Sequence, residues 1–208
     1  ALASASLDRK TDLTLSEALV IGLIEQGVRT YYSVLGHGST EVGEVLRVYQ
    51  TIQYKDWVPL RAAQSELNLK VRKPTPQMLA YAQKVLAKPE TETPVHRLEK
   101  TYAERTNQMN GWPENIDVIM QTFRIGDLGV AAIPFEVFTE IGLEIKAKSP
   151  FKTSFTIELA NGSYGYLPTP EQHQVGGYET WLGTNRVETQ ASRKIVSEIL
   201  KLFNQVKP

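Results

Sequence analysis

The sequence predicts an α/β fold, a mixed sheet with flanking helices, in a chain of composite character. Three observations predict it. Helical segments with recognisable ends recur, at 12–27, 76–88 and 189–205. The continuous apolar run "LGVAAIP" (128–134) has the texture of a strand buried on both faces, as in the interior of a parallel sheet. The texture also changes after Gln50, from a helix, strand, loop, helix unit to extended and polar-alternating sequence. That change divides the chain into residues 1–50 and 51–208.

In order, "DLTLSEALVIGLIEQG" opens with Thr14 or Ser16 as cap, carries Leu19, Leu23 and Ile24 on one stripe and closes at Gly27. "VRTYYSVLG" then reads as a short strand, "GHGS" as a turn and "TEVGEVLRVYQ" as a second helix. Beyond the boundary, alternation around Glu66 to Val71 predicts a strand, stopped by Pro74 and Pro76. Pro76 suits the first turn of a helix that Pro89 terminates, and a further helix with a thin apolar stripe is expected from about Thr93-Pro94. "ENIDVIMQTFRIGDLGVAAIP" holds two strands about a Gly126-Asp127 turn. A helix from Val137 to Lys148 follows, with Phe138, Ile141 and Ile145 on one face, then a strand in "FKTSFTIELAN". A loop of over twenty residues, rich in Gly, Tyr and Pro, precedes the last helix; loops that long are uncommon unless functional.

Composition narrows the function classes. Hydrophobic residues make up 41% and charged residues 22%, ordinary for a globular protein with a core. Acids and bases number 23 each, so no global basic field points to nucleic acid or an acidic membrane. No apolar run approaches the roughly 20 residues of a membrane span. With no cysteine, disulfides and thiolate chemistry are excluded. Location stays open between secreted or periplasmic and cytoplasmic: "ALASAS" has small residues like those at a signal-cleavage point, without the apolar region that precedes one.

Chemistry concentrates where the apolar strand ends in "IPFE". Glu136 follows one strand and Asn161 to Tyr166 follow the next. If a helical crossover makes those strands parallel, both loops open on one sheet edge and the two groups are neighbours. A carboxylate and a phenol meeting there can hold a hard or borderline cation such as Zn²⁺. By spacing alone the alternative stands beside it: Glu136 helps to start its helix through the dipole, and the tyrosines are surface packing.

The segments "LGVAAIPFEVFTEIGLEIKAKSPF" and "SFTIELANGSYGYLPTPEQHQVGGYETW" resemble the final part of the catalytic domain of the neutral/alkaline ceramidase family and its bacterial relatives. "LKVRKPTPQMLAYAQKVL" and "HRLEKTYAERT" resemble the segment before it, so the resemblance spans roughly 54–208. It implies a zinc-dependent amide hydrolase acting on linear amides. Glu136 matches the family's glutamate ligand at the end of an "IGDLAIVAIPGE" strand, and Tyr166 matches its tyrosine ligand. Asn161, Thr169, Tyr178 and Glu179 keep the spacing of the substrate loop around it. Phe135 replaces the family's small residue, which sets a bulky ring beside the implied metal. The family's two histidine ligands come from an N-terminal portion that has no counterpart here. Of the three histidines, His173 matches a position that does not bind zinc, His96 falls on a polar helix, and His37 alone lies in a ligand-like loop. A second chain or another copy completing the site is the partner expected on this reading; a non-catalytic remnant or interaction domain is the alternative.

"LTLSEALVIGLIEQGVRTYYSVLGHGSTEVGEVLRVYQ" resembles instead the opening of thiamine-diphosphate-dependent enzymes, in the branch of the inositol-degrading hydrolase. His37 would then lie near the cofactor's pyrimidine. The catalytic glutamate and the "GDG…N" metal motif of those enzymes are missing, so thiamine diphosphate with Mg²⁺ is not expected to support chemistry by this chain alone. The chain reads as a fusion, a truncation, or one lacking residues between Gln50 and Tyr54.

Overall fold

In the computed structural model the chain divides into two units, 1–56 and 57–208. Residues 49, 51–89 and 91–208 are described, and the fold below is that of the second unit. Apart from Tyr49, a helical residue, the helices and strand expected over 12–50, the Gly-His-Gly turn and His37 lie outside the described residues.

Strand β1 (Leu60–Lys70) pairs antiparallel with β2 (Asn115–Ile125), register Leu60 to Ile125 through Lys70 to Asn115. A tight turn at Gly126-Asp127 returns the chain as β3 (Leu128–Ala132), antiparallel to β2. β3 in turn pairs in parallel with β5 (Thr153–Ile157), Val130 opposite Phe155. The sheet order β1-β2-β3-β5 is mixed, and the apolar strand β3 is interior as its composition requires.

Between β1 and β2 come α1 (Pro76–Leu86) and α2 (Glu99–Gly111). Thr75 caps α1 by accepting from the Met78 N–H at 3.2 Å, with Pro76 at the first helical position. Ala82 and Val85 of α1 pack on Ala103 of α2. The second helix starts later than the expected Thr93-Pro94, because residues around Pro94 form turns instead. Glu99, its first residue, folds its carboxylate back over them: it accepts from the Val95 N–H at 3.1 Å and the Tyr81 hydroxyl at 2.6 Å, with Lys88 beside it. His96 is therefore in a turn and not on a helix, its Nδ1 accepting from the Leu98 N–H at 3.1 Å.

The crossover from β3 to β5 runs through α3 (Thr139–Lys148), which buries Ile141 and Ile145. The final helix α5 (Ala191–Val206) buries Ala191, Ile195, Val196, Ile199, Leu202, Phe203 and Val206, the spacing of one amphipathic face. It lies across β1, β2 and β3, beside α3. Strand alternation supplies the other half of that core: Leu69, Val118, Met120, Ala131 and Ile133 are buried, and Phe151 meets Phe203 edge-on at 5.3 Å. The opposite face of the sheet carries Leu60, Phe155 and Ile157, which are 71%, 42% and 44% exposed.

Because Ile195 is fully buried at the centre of this layer, Ile195→Ala is expected to cost about 2–5 kcal/mol. Leu143→Ala, on the exposed side of α3, is expected to stay within about 0.5 kcal/mol of the parent. Urea denaturation of the two variants measures both.

Candidate functional site

The site begins where β3 ends. Ile133, Pro134 and Phe135 are buried, and Glu136 is half-buried. The Phe135 ring lies in the core, tilted against Tyr164 at 5.7 Å. Alternation along the extended chain sends Glu136 the other way. The Phe135 ring therefore packs into the core on the side away from the Glu136 side chain.

Glu136 and Val137 form a two-residue strand, β4, which pairs in parallel with β6 (Tyr166–Leu167), Glu136 opposite Tyr166. The helix expected from Val137 starts at Thr139, with Phe138 as cap residue and Glu140 as its first-turn acid. Glu136 is thus a strand residue three positions ahead of the helix, and the helix-starting reading gives way. Its N–H donates to the Gly165 carbonyl at 3.0 Å.

Two backbone features bring β6 to this place. Leu159 and Asn161 adopt left-handed conformations, which turn the chain sharply after β5; Asn tolerates this well, Leu less so. Gly165 has φ of 86°, and a Cβ there would sit 2.1 Å from the Thr184 carbonyl oxygen. Only glycine permits that approach. Tyr166 follows, held by its N–H to the Thr184 carbonyl at 3.0 Å and by Asn185 Nδ2 donating to its own carbonyl at 2.9 Å.

The Tyr166 hydroxyl lies 2.9 Å from the Tyr178 hydroxyl, the rings edge-on at 5.5 Å, with Phe138 edge-on to Tyr166 from another side. The Tyr178 hydroxyl, then the Glu136 carboxylate, then burial hold the Tyr166 proton and push its pKa far above the ordinary tyrosine value. Glu136, Tyr166 and Tyr178 thus form one polar row.

The other expected site residues are arranged around this row. Asn161 donates from Nδ2 to Gln121 Oε1 at 2.8 Å, on the open face of the sheet. Thr169 caps the short helix α4 (Pro170–Val175) in a reciprocal pair with Gln172. Glu179 follows Tyr178 in a 3-10 turn (Tyr178–Thr180), with no hydrogen bond to the row among the described residues. His96 lies edge-on to Trp181 at 6.2 Å. His173, on α4, has a buried Nε2 without a partner, and its pKa is lowered by burial and by Arg72. Sequence reasoning missed Asn185 and Arg72. Asn185 is buried; its Oδ1 accepts from Arg72 Nη1 at 2.9 Å, and the same nitrogen donates to the Thr180 carbonyl at 2.7 Å. The one available signal was the need of so long a loop for partners to its backbone.

Chemically, the row offers a carboxylate oxygen and a phenol oxygen to a cation, with a second phenol at hydrogen-bond distance from the first. Zinc accepts oxygen donors, and a structural or catalytic site takes at least three protein ligands. No group of three or more His, Cys, Asp or Glu able to hold a metal is present among the described residues. The pair fits part of such a set.

The fold and this row define an α/β domain with a carboxylate and phenol pair at a sheet edge. No family model matches the chain, and no curated protein does. Among solved structures, neutral ceramidase from Pseudomonas aeruginosa is similar at 15% identity with a TM-score of 0.46, over 72% of this chain and 29% of that one. A ceramidase complexed with C2 is similar at 14% identity with a TM-score of 0.47, over 71% of this chain and 31% of that one. The chain spans less than a third of the length of either. At these scores the likeness assigns no residue a role.

Tyrosinate absorbance followed against pH tests the row. The Tyr166 ionisation is expected above the usual value of about 10. Tyr178→Phe removes the largest cause and is expected to bring that ionisation down, whereas a Tyr166 ionisation unmoved in the variant would contradict the hydrogen bond.

Proposed function

We propose that this chain carries part of a zinc-dependent amide hydrolase site of the ceramidase type, with Glu136 and Tyr166 as the metal ligands it contributes. The observation that supports the reading is their register: each is the partner of the other across β4 and β6, and Tyr178 is bonded to the second. Zn²⁺, when bound, lowers the pKa of a bound water towards 7 and polarises an amide carbonyl. The chain's own residues do the rest. Glu136 supplies the fixed negative charge. Tyr166 gives up its proton before its oxygen can serve as a ligand, and the Tyr178 hydroxyl keeps that oxygen hydrogen-bonded. Gly165 and Asn185 fix the Tyr166 backbone against Glu136. Remaining ligands would come from a second chain, and linear amides are the substrate class.

Zinc titration by calorimetry in two buffers of different ionisation enthalpy tests this. Binding is expected to release protons, so affinity rises with pH. Glu136→Ala is expected to weaken it by about tenfold or more and to abolish hydrolysis of an N-acyl amide. Equal zinc affinity in parent and variant, with no hydrolysis by either, would sink the proposal.

A second reading, an interaction domain without catalysis, is favoured by the open sheet face. Leu60 and Ile125 face the same side as Phe123, Val130 and Phe155 by register, opposite α5. Light scattering after size exclusion, from about 1 to 100 µM, is then expected to show association that Phe155→Asp abolishes. A monomer at every concentration counts against self-association.

A further inference from the structure

Two arginines converge on one turn of the long loop. Arg105 comes from α2; its Nη1 donates to Thr184 Oγ1 at 3.0 Å, and its stem lies on Gly183, where a Cβ would come within 2.8 Å of the Arg105 Cβ. Arg186 comes from the loop itself; its Nε donates to the Gly183 carbonyl and its Nη1 to the Ser163 carbonyl, both at 3.3 Å. Each guanidinium is held over an aromatic ring: Arg105 over Tyr102 at 5.0 Å, Arg186 over Trp112 at 5.3 Å. Tyr102 is fixed in turn by its hydroxyl, 2.6 Å from Thr184 Oγ1.

The arrangement is electrostatically unbalanced. Burial and then the neighbouring Arg105 charge lower the pKa of Arg186. Neither arginine makes an ion pair with a carboxylate among the described residues, while Arg193 on α5 takes two, from Glu144 and Glu171. A guanidinium carries five N–H donors. Arg105 spends one on the protein and Arg186 two, so most of both forks is left for a ligand. Pinning the turn explains the bonds that are made. It does not explain two like charges brought together when neutral donors would serve.

We propose that Arg105 and Arg186 form a binding site for an oxyanion, the carboxylate or phosphate group of a ligand, on the surface shared by α2 and the Leu182 to Arg186 turn. Planar forks already fixed over rings lose little freedom on binding, and bidentate contact to a carboxylate or phosphate suits their geometry. Trp181, 42% exposed and edge-on to Tyr102 at 4.9 Å, forms the neighbouring wall. The site is independent of the zinc reading: it uses none of Glu136, Tyr166 or Tyr178.

Tryptophan fluorescence and calorimetry on the full chain, titrated with sodium phosphate and separately with sodium acetate at constant ionic strength, test the proposal. Saturable binding is expected for at least one, weakened about tenfold or more by Arg105→Gln and by Arg186→Gln, and unchanged in Arg61→Gln. Binding of phosphate alone assigns a phosphate group, of acetate alone a carboxylate, and of both the shared chemistry. If Arg186→Gln fails to fold, Arg105→Gln decides, since that side chain makes a single hydrogen bond to the turn. Non-saturable titrations with both anions, or an Arg105→Gln variant that binds like the parent, overturn the site.

Discussion

The parallel pairing of β3 with β5 is the constraint on which the rest of the structure depends. It forces a crossover, met by α3, whose buried Ile141 and Ile145 settle beside α5. It also delivers both strand ends to one edge, where the chain continues as β4 and β6 and keeps the same parallel sense. Register here is strict, because a slip of one residue exchanges the faces of a strand. Phe135 is fully buried and Glu136 is its neighbour. A slip would set a carboxylate in the core and a phenyl ring in water, and the cost of that exchange holds the corner in place.

A second constraint acts on the loop after β5. Its middle is buried without regular secondary structure: Leu182, Gly183, Thr184 and Asn185 are all covered. Buried backbone groups need partners; here the Thr184 and Asn185 N–H groups both donate to the Trp181 carbonyl, the Thr184 carbonyl accepts from the Tyr166 N–H, and side chains serve other carbonyls of the loop. Arg72 donates to the Thr180 carbonyl, Asn185 to that of Tyr166, Arg186 to those of Gly183 and Ser163. The same bonds that satisfy the loop also fix where Tyr166 stands. Stability and site geometry are thus supplied by one network, whose cost is several partly buried positive charges.

Much of the fold was legible because its signals are local. Thr75 and Pro76 start α1, Gly126 and Asp127 turn β2 into β3, and the apolar run of β3 announces an interior strand. The neighbourhood of Glu136 and Tyr166 followed from topology once the crossover was read. Other features were hidden for physical reasons. Two residues of strand have no period to detect, so β4 was absorbed into the helix expected from Val137. The start of α2 depends on the Glu99 carboxylate, which closes a turn through Val95 and is held by the Tyr81 hydroxyl of α1, a tertiary contact that the prolines only hint at. Thr169 and Gln172 spell a capping box, but the helix it starts is six residues long, too short for an apolar period to set it apart from loop. The Arg72 to Asn185 bond joins residues 113 apart and leaves no trace in any window of sequence.

The raised pKa of Tyr166 bears on the metal reading in a way that first looks adverse. A phenol that resists ionisation is a poor ligand. Yet the causes are a hydrogen-bonded hydroxyl and a nearby carboxylate, and the carboxylate acts by disfavouring a second negative charge. On the zinc reading a bound cation would reverse that effect, because positive charge stabilises a phenolate and a carboxylate together. Without a cation the row keeps both phenol protons; on the zinc reading the cation would take the place of the Tyr166 proton. The Tyr178 hydroxyl and then the Glu136 carboxylate keep the phenol protonated, and on the zinc reading that same Glu136 charge would be what attracts the cation.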